Sequence, residues 1–114
     1  MLAGAPDRPA FLAMHHPPVE LSTPHVDCIR LRPEQPLADL VRRHPQVVAV
    51  LCGHAHTAAA SSFAGRPLLV APGVVSTLLM PWENGGPISY DLPPALAFHV
   101  YADGRLTTHY RALS

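Results

Sequence analysis

Val47-Val48-Ala49-Val50-Leu51-Cys52-Gly53-His54-Ala55-His56-Thr57 decides how the rest of the chain is read. The apolar run Val47–Cys52 reads as a buried strand. It runs into a glycine, the residue type that tolerates φ > 0 and lets a chain turn tightly off a strand. Two histidines follow, one residue apart. If the backbone stays extended past Gly53, side chains at i and i+2 point the same way. Their Cα atoms then sit about 6–7 Å apart. Two imidazoles leaning inward from that spacing can each hold one ion of a pair about 3.5–4 Å apart. A four-residue G-H-x-H pattern also arises by chance, so its weight depends on what surrounds it.

Working upstream, Pro33-Glu34-Gln35-Pro36 precedes a helical pattern with Leu37, Leu40 and Val41 on one face and Asp39, Arg42 and Arg43 on the other. Proline at the start, acids early and bases late suit the helix dipole. His44-Pro45 ends it, with His44 read as a capping residue. Val19–Pro33 has no clear period; Ser22-Thr23-Pro24-His25 reads as loop. Before it, Pro9–Met14 reads as a short buried strand ending in His15-His16-Pro17-Pro18. Pro17 pushes His16 into an extended conformation. The order β-loop-α-β is that of parallel strands joined by a crossover helix. Both histidine clusters then sit beyond the carboxyl ends of strands, where open α/β sheets gather ligands. Met1-Leu2-Ala3 suits a last helical turn with Gly4 as its C-cap.

Downstream, Ala58–Phe63, Arg66–Ala71 and Val74–Leu79 are short apolar segments separated by turn residues and read as antiparallel strands. Pro81–Pro94 reads as a loop. Ala95–Tyr101 and Leu106–Tyr110 flank Ala102-Asp103-Gly104-Arg105, a hairpin signal. His99 and His109 read as ordinary strand side chains, one partly buried and one on the surface.

The bulk composition narrows the classes. A chain of 114 residues, 48% hydrophobic and 14% charged, fits one small globular domain. Formal net charge is zero, and no basic cluster exceeds Arg42-Arg43, so no nucleic-acid partner is expected. No apolar run reaches the length of a membrane span, and the first residues do not form a signal peptide. Cys28 and Cys52 fit no metal or redox spacing, and a reducing, cytoplasmic setting is the default. Eight histidines equal all lysines and arginines in number, which is unusual enough to keep metal chemistry in view.

A strand ending in His15-His16-Pro17-Pro18, then a helix, then a strand ending in Gly53-His54-Ala55-His56, resembles the carboxyl half of calcineurin-like metallophosphoesterases. Within them it looks most like the class III phosphodiesterases that hydrolyse 3′,5′-cyclic AMP. Phe63-Ala64-Gly65-Arg66-Pro67 and Pro93-Pro94-Ala95-Leu96-Ala97-Phe98-His99 are similar to the end of that group. The resemblance runs from about Pro9 to Tyr110. It implies an α/β fold: the carboxyl half of a four-layered α/β/β/α sandwich, with a mixed sheet that is mostly antiparallel after residue 57. It implies two divalent cations, Mn, Fe or Zn. His15 and His54 match histidine ligands of the second metal, and His56 matches the histidine ligand of the first. His16 matches a position that lines the pocket or hydrogen-bonds nearby, and is taken as a catalytic-site residue. The family's Asp-x-His, Gly-Asp and Gly-Asn-His motifs do not occur in this sequence, so residues 1–114 are read as a single partial domain, the carboxyl portion of a longer enzyme.

The expected function is a metal-dependent phosphodiesterase, a hydrolase acting on 3′,5′-cyclic AMP or a similar phosphodiester. The resemblance implies a hydroxide shared by two metals as the nucleophile. The first alternative is a non-catalytic remnant or split-subunit module holding at most one metal. The second is a small α/β domain with core histidines and no metal. No substrate-binding side chain is assigned; Trp82, Tyr90 and His25 could stack on a base. Expected partners are the small substrate and the missing amino-terminal half. A strand edge left unpaired where that half should sit predicts self-association into a homo-oligomer.

Overall fold

The computed structural model describes residues 1–113. Its centre is the strand read first from the sequence, Val47–Cys52 (β2), in which Val47, Ala49, Val50 and Cys52 are buried. A strand covered on both faces needs this unbroken apolar composition. Ala10–Met14 (β1) lies parallel to β2, with Met14 opposite Cys52. The two strands therefore end level, and Gly53 N–H donates to the His15 carbonyl at 3.1 Å. Between them runs a helix, Gln35–Arg43 (here α2), which buries Ala38 and Val41. A single helical turn, Pro24–Asp27 (α1), comes before it.

On the other side of β2 lies Arg66–Val70 (β4), parallel to it, and then Ala59–Phe63 (β3), antiparallel to β4. The four-stranded sheet runs β1-β2-β4-β3, leaving β1 and β3 as its edges. β3 and β4 were expected to be antiparallel to one another, and they are. The parallel pairing of β4 with β2 is the additional feature: Leu68 and Val70, both fully buried, dock beside Val50 and Cys52. Ala64 and Gly65 connect β3 to β4 at φ 49° and 77°, the positive φ pair of a tight hairpin turn.

Two smaller pairs complete the chain. Thr77–Leu78 (β5) pairs antiparallel with Ile88–Ser89 (β6), and Ala95–Ala102 (β7) with Arg105–Ala112 (β8). The β7–β8 hairpin turns on Asp103 and Gly104, both at positive φ. His99 is half-buried and His109 exposed, as their strand positions suggested. The core joins Val26, Ala38 and Val41 with the buried residues of β2 and β4, Phe63 and Leu78.

Four expectations change. Met1–Ala3 is not the end of a helix but leads into a turn at Ala3-Gly4, closed by Ala5 N–H donating to the Leu2 carbonyl at 3.1 Å; Leu2 packs on the core, and its carbonyl also accepts from Gln46 Nε2 at 2.8 Å. Residues 24–27 are helical, not loop, because the Asp27 carboxylate accepts from the backbone N–H of Leu21 and Thr23 at 2.6 and 3.0 Å and ties the turn together. The apolar stretch Val74–Leu79 gives only the two residues of β5. Val74 and Val75 face solvent at 67% and 70%, since no neighbouring strand covers them. Finally, β6 forms inside what read as a loop from Pro81 to Pro94. No helix is long and apolar enough to cross a membrane.

Candidate metal centre

The level ends of β1 and β2 deliver His15 and His54 to the same place. His54 Nδ1 and His15 Nε2 lie 3.0 Å apart. The His16 ring completes the group, with centroids 4.9 Å from His15 and 4.2 Å from His54. One ligand nitrogen from each of the three histidines lies within 4.8 Å of the others. Pro17 and Pro18, both buried, fix the chain as it leaves this cluster.

The route past Gly53 is not extended. Ala55 N–H donates back to the Gly53 carbonyl at 2.7 Å, closing a three-residue turn with His54 at its centre and φ 66°. This sign of φ belongs to the rare, strained form of the γ-turn. His56 also sits at positive φ, 54°. The left-handed conformations therefore fall on the two histidines and not on Gly53, the reverse of what glycine's freedom suggested. Backbone strain of this kind costs about 1–3 kcal/mol per residue and gathers at functional sites. With strand alternation broken, His54 turns to His15 and His16, while His56 turns to Ser76, its Nδ1 lying 2.8 Å from Ser76 Oγ. His56 is thus outside the three-histidine group.

Burial holds the His54 imidazole below its ordinary pKa, and the charges of His16, His15 and His56 act in the same direction. Both effects favour the neutral form, in which imidazole binds cations. Its Nε2 is buried and has no hydrogen-bond partner. A cleft of about 260 Å³ opens beside this site, walled by His54, His56, Ser76, His25, Ile29 and Tyr90 among others. Of the three residues named for stacking, His25 and Tyr90 reach the cleft; Trp82 does not and stands 75% exposed. His25 also lines a second cleft of about 460 Å³ with Thr23, Met80 and Glu83. His44 caps α2, its N–H donating to the Val41 carbonyl at 3.1 Å, and plays no part in the cluster.

Several known phosphodiesterases are similar to this chain. The chain is 31% identical over 114 residues to the glycerophosphodiester phosphodiesterase GpdQ of Enterobacter lignolyticus, covering 99% of this chain and 41% of that protein. It is 30% identical over 113 residues to the 3′,5′-cyclic adenosine monophosphate phosphodiesterase CpdA of Escherichia coli K12, with the same coverage of 99% and 41%. A probable cyclic nucleotide phosphodiesterase of Rhodococcus erythropolis is 39% identical over 82 residues, or 72% of this chain and 27% of that protein. The chain belongs to the calcineurin-like metallophosphoesterase family. It spans about two fifths of the length of the two relatives that it matches nearly end to end. No family model matches it.

Metallophosphoesterase chemistry rests on divalent cations, and the residues present can be tested for one. Two imidazole nitrogens bound to one zinc at about 2.0–2.1 Å would be separated by about 3.3 Å in a tetrahedral arrangement. The 3.0 Å between His15 and His54 is close to that. A donor set of imidazoles also suits a borderline cation. Among the described residues no carboxylate joins the cluster, so this metallophosphoesterase chain fits one cation better than two. Ser76, and the Gly73 that lets it approach His56, were not singled out from sequence. Pro72-Gly73 signalled a turn, but nothing local ties residue 76 to residue 56.

Proposed function

We propose that this chain supplies the histidine side of a metal-dependent phosphodiesterase centre. The complete protein is read as a hydrolase of 3′,5′-cyclic AMP or a similar phosphodiester, working in the cytoplasm. The observation that carries the reading is the meeting of His15, His16 and His54 beyond the level ends of two parallel strands. His15 and His54 are read as ligands of one cation and His56 as a ligand of the other. The separation of His56 from that pair, and its own partner in Ser76, support this division.

The cations, when bound, supply Lewis acidity at the phosphoryl oxygens and an acidified water. The chain's own residues do the rest. The His54 turn holds its imidazole against His15, Nδ1 3.0 Å from Nε2. His16 lies against His54, ring centroids 4.2 Å apart, at the open side of the cluster. The cleft between Ile29, Ile88 and Tyr90 takes the organic part of the ester, with His25 at its rim. Holding the ester in one orientation removes much of the entropic barrier to in-line attack.

A second reading keeps the chain as a non-catalytic module that holds a single metal, or as one subunit of a split enzyme. The lack of a carboxylate beside the three histidines, among the described residues, favours it. Manganese-dependent hydrolysis of bis(p-nitrophenyl) phosphate separates the two, measured on this chain and on a form extended at its amino end. Turnover only in the extended form, abolished by His54→Ala, is the expected result. No turnover in either, with one zinc bound per chain by calorimetry, would favour the second reading. Failure of both forms to bind metal would leave an α/β domain with structural histidines.

A further inference from the structure

We infer that Ser76 is a positioning residue for His56, fixing its tautomer so that Nε2 is the nitrogen offered to a cation. This rests on the reading of His56 as a ligand. His56 is exposed, and a free imidazole in water favours the proton on Nε2, which would block that nitrogen. Here Nδ1 lies 2.8 Å from the Ser76 hydroxyl oxygen, and Ser76 is only 8% exposed. With Nδ1–H donating to Ser76 Oγ, the proton is held on Nδ1 and the Nε2 lone pair is free. A hydrogen bond to one ring nitrogen sets which of the two binds metal, and ligating histidines nearly always have such a partner.

The local backbone is shaped around this contact. The His56 carbonyl accepts from Leu78 N–H at 2.8 Å, which pins residue 56 to β5, one residue past Ser76 in the chain. Gly73 lies directly against both partners. A Cβ at that position would collide with the Ser76 carbonyl oxygen and come within 3.0 Å of His56 Cβ. The Gly73 carbonyl in turn accepts from Ala95 N–H at 3.2 Å, anchoring the turn to β7. The hydroxyl is thus held by a turn whose two ends, Gly73 and Ser76, are buried and anchored, while Val74 and Val75 between them face solvent.

The molecule carries its own control. His99 Nδ1 lies 2.8 Å from Thr108 Oγ1 on the β7–β8 hairpin, the same pairing well away from the histidine cluster. Long-range proton–nitrogen NMR spectra of the metal-free chain read the tautomer of each histidine. The expected result is the Nδ1–H form at His56 in the wild type. Ser76→Ala should convert it to the Nε2–H form, Ser76→Thr should retain it, and His99 should be unchanged in both. An unchanged His99 also shows that the variants are folded. On titration with zinc, the His56 Nε2 signal should move, and Ser76→Ala should weaken that binding step about 10–100-fold.

An Nε2–H tautomer at His56 in the wild type overturns the inference, as does a tautomer indifferent to Ser76→Ala. If zinc moves the His56 signal equally well in Ser76→Ala, the positioning role falls while His56 remains a ligand. If zinc binds the chain but leaves His56 unmoved, the assignment of His56 as a ligand fails, and the role of Ser76 goes with it.

Discussion

Cys52 ends β2 directly before the histidine turn, and its environment makes a clear contrast with the other cysteine. Both thiols are free, Cys28 exposed and Cys52 buried. Burial pushes the Cys52 thiol up to about 11. The reactive thiolate is thereby suppressed at Cys52. A thiol reagent at pH 8 should label Cys28 rapidly, and Cys52 only once urea unfolds the chain. Fast labelling of both in the native state would contradict the burial. The same shift has a sign in stability. The unfolded thiol loses its proton near 9 and the folded one near 11, so the unfolded state binds fewer protons in that window. Stability should therefore fall as pH rises from about 9 to about 11, and Cys52→Ala should flatten that part of the profile. Gly73→Ala belongs to the same scale. Overpacking costs about 1–3 kcal/mol, and here the displaced atoms are those of Ser76 and His56. Urea melts should show that loss, and the His56 tautomer should change with it. That His15, His16 and His54 would meet beyond the strand ends was legible in the sequence at this scale. Their geometry was not, because the positive φ at His54 and His56 depends on tertiary partners at His15 and Ser76.

Elements with a strong periodic signal formed where the sequence placed them. Val47–Cys52 is wholly apolar and had to be covered on both faces; Leu37, Leu40 and Val41 had to point one way. The hairpin ending on Asp103-Gly104 was equally plain, since that pair favours the required backbone. Where the signal failed, a short apolar run had no neighbour to cover it. Val74 and Val75 have strand-like composition yet stay exposed, and β6 borrows Ile88 from what read as loop to pair with Leu78. The parallel pairing of β2 with β4 was likewise invisible, because the composition of two strands does not say which of them become neighbours in the sheet. It also marks where the element scale is most vulnerable. Leu68 is fully buried at the β2–β4 junction, opposite Val50. Leu68→Ala should cost about 2–5 kcal/mol, measured as a lowered urea midpoint with little change in slope. Ser61→Ala, at the exposed position of β3 paired with Leu68, should change the midpoint little. Equal losses at the two sites would mean that the core is not centred on β2 and β4.

For the whole molecule, the sheet order β1-β2-β4-β3 leaves the strand that carries His15 and His16 toward the site at an open edge. Beside that edge lies an apolar cleft of about 580 Å³ walled by Leu2, Phe11, Leu12, Met14, Leu37 and Leu40. An uncovered strand edge next to apolar surface is a template for pairing with another chain. β1 lacks two of the usual defences, since its sequence Ala-Phe-Leu-Ala-Met carries neither a charged residue nor a proline. The relatives matched nearly end to end have more than twice the length of this chain, so material exists in the family to cover such a surface. On its own, the 114-residue chain should self-associate, and sedimentation velocity at rising concentration should show a shift from monomer to larger species. Ala13 is exposed on β1, and a lysine there adds charge along the open edge without entering the core. Ala13→Lys should therefore shift the distribution toward monomer while leaving the His99 signal and the urea midpoint nearly unchanged. A chain that stays monomeric at all concentrations would show that the β1 edge is shielded. Association unaffected by Ala13→Lys would point instead to the exposed apolar row of β7, where Phe98 stands 60% exposed between Leu96 and Val100. Phe98→Lys would then be the variant that restores the monomer.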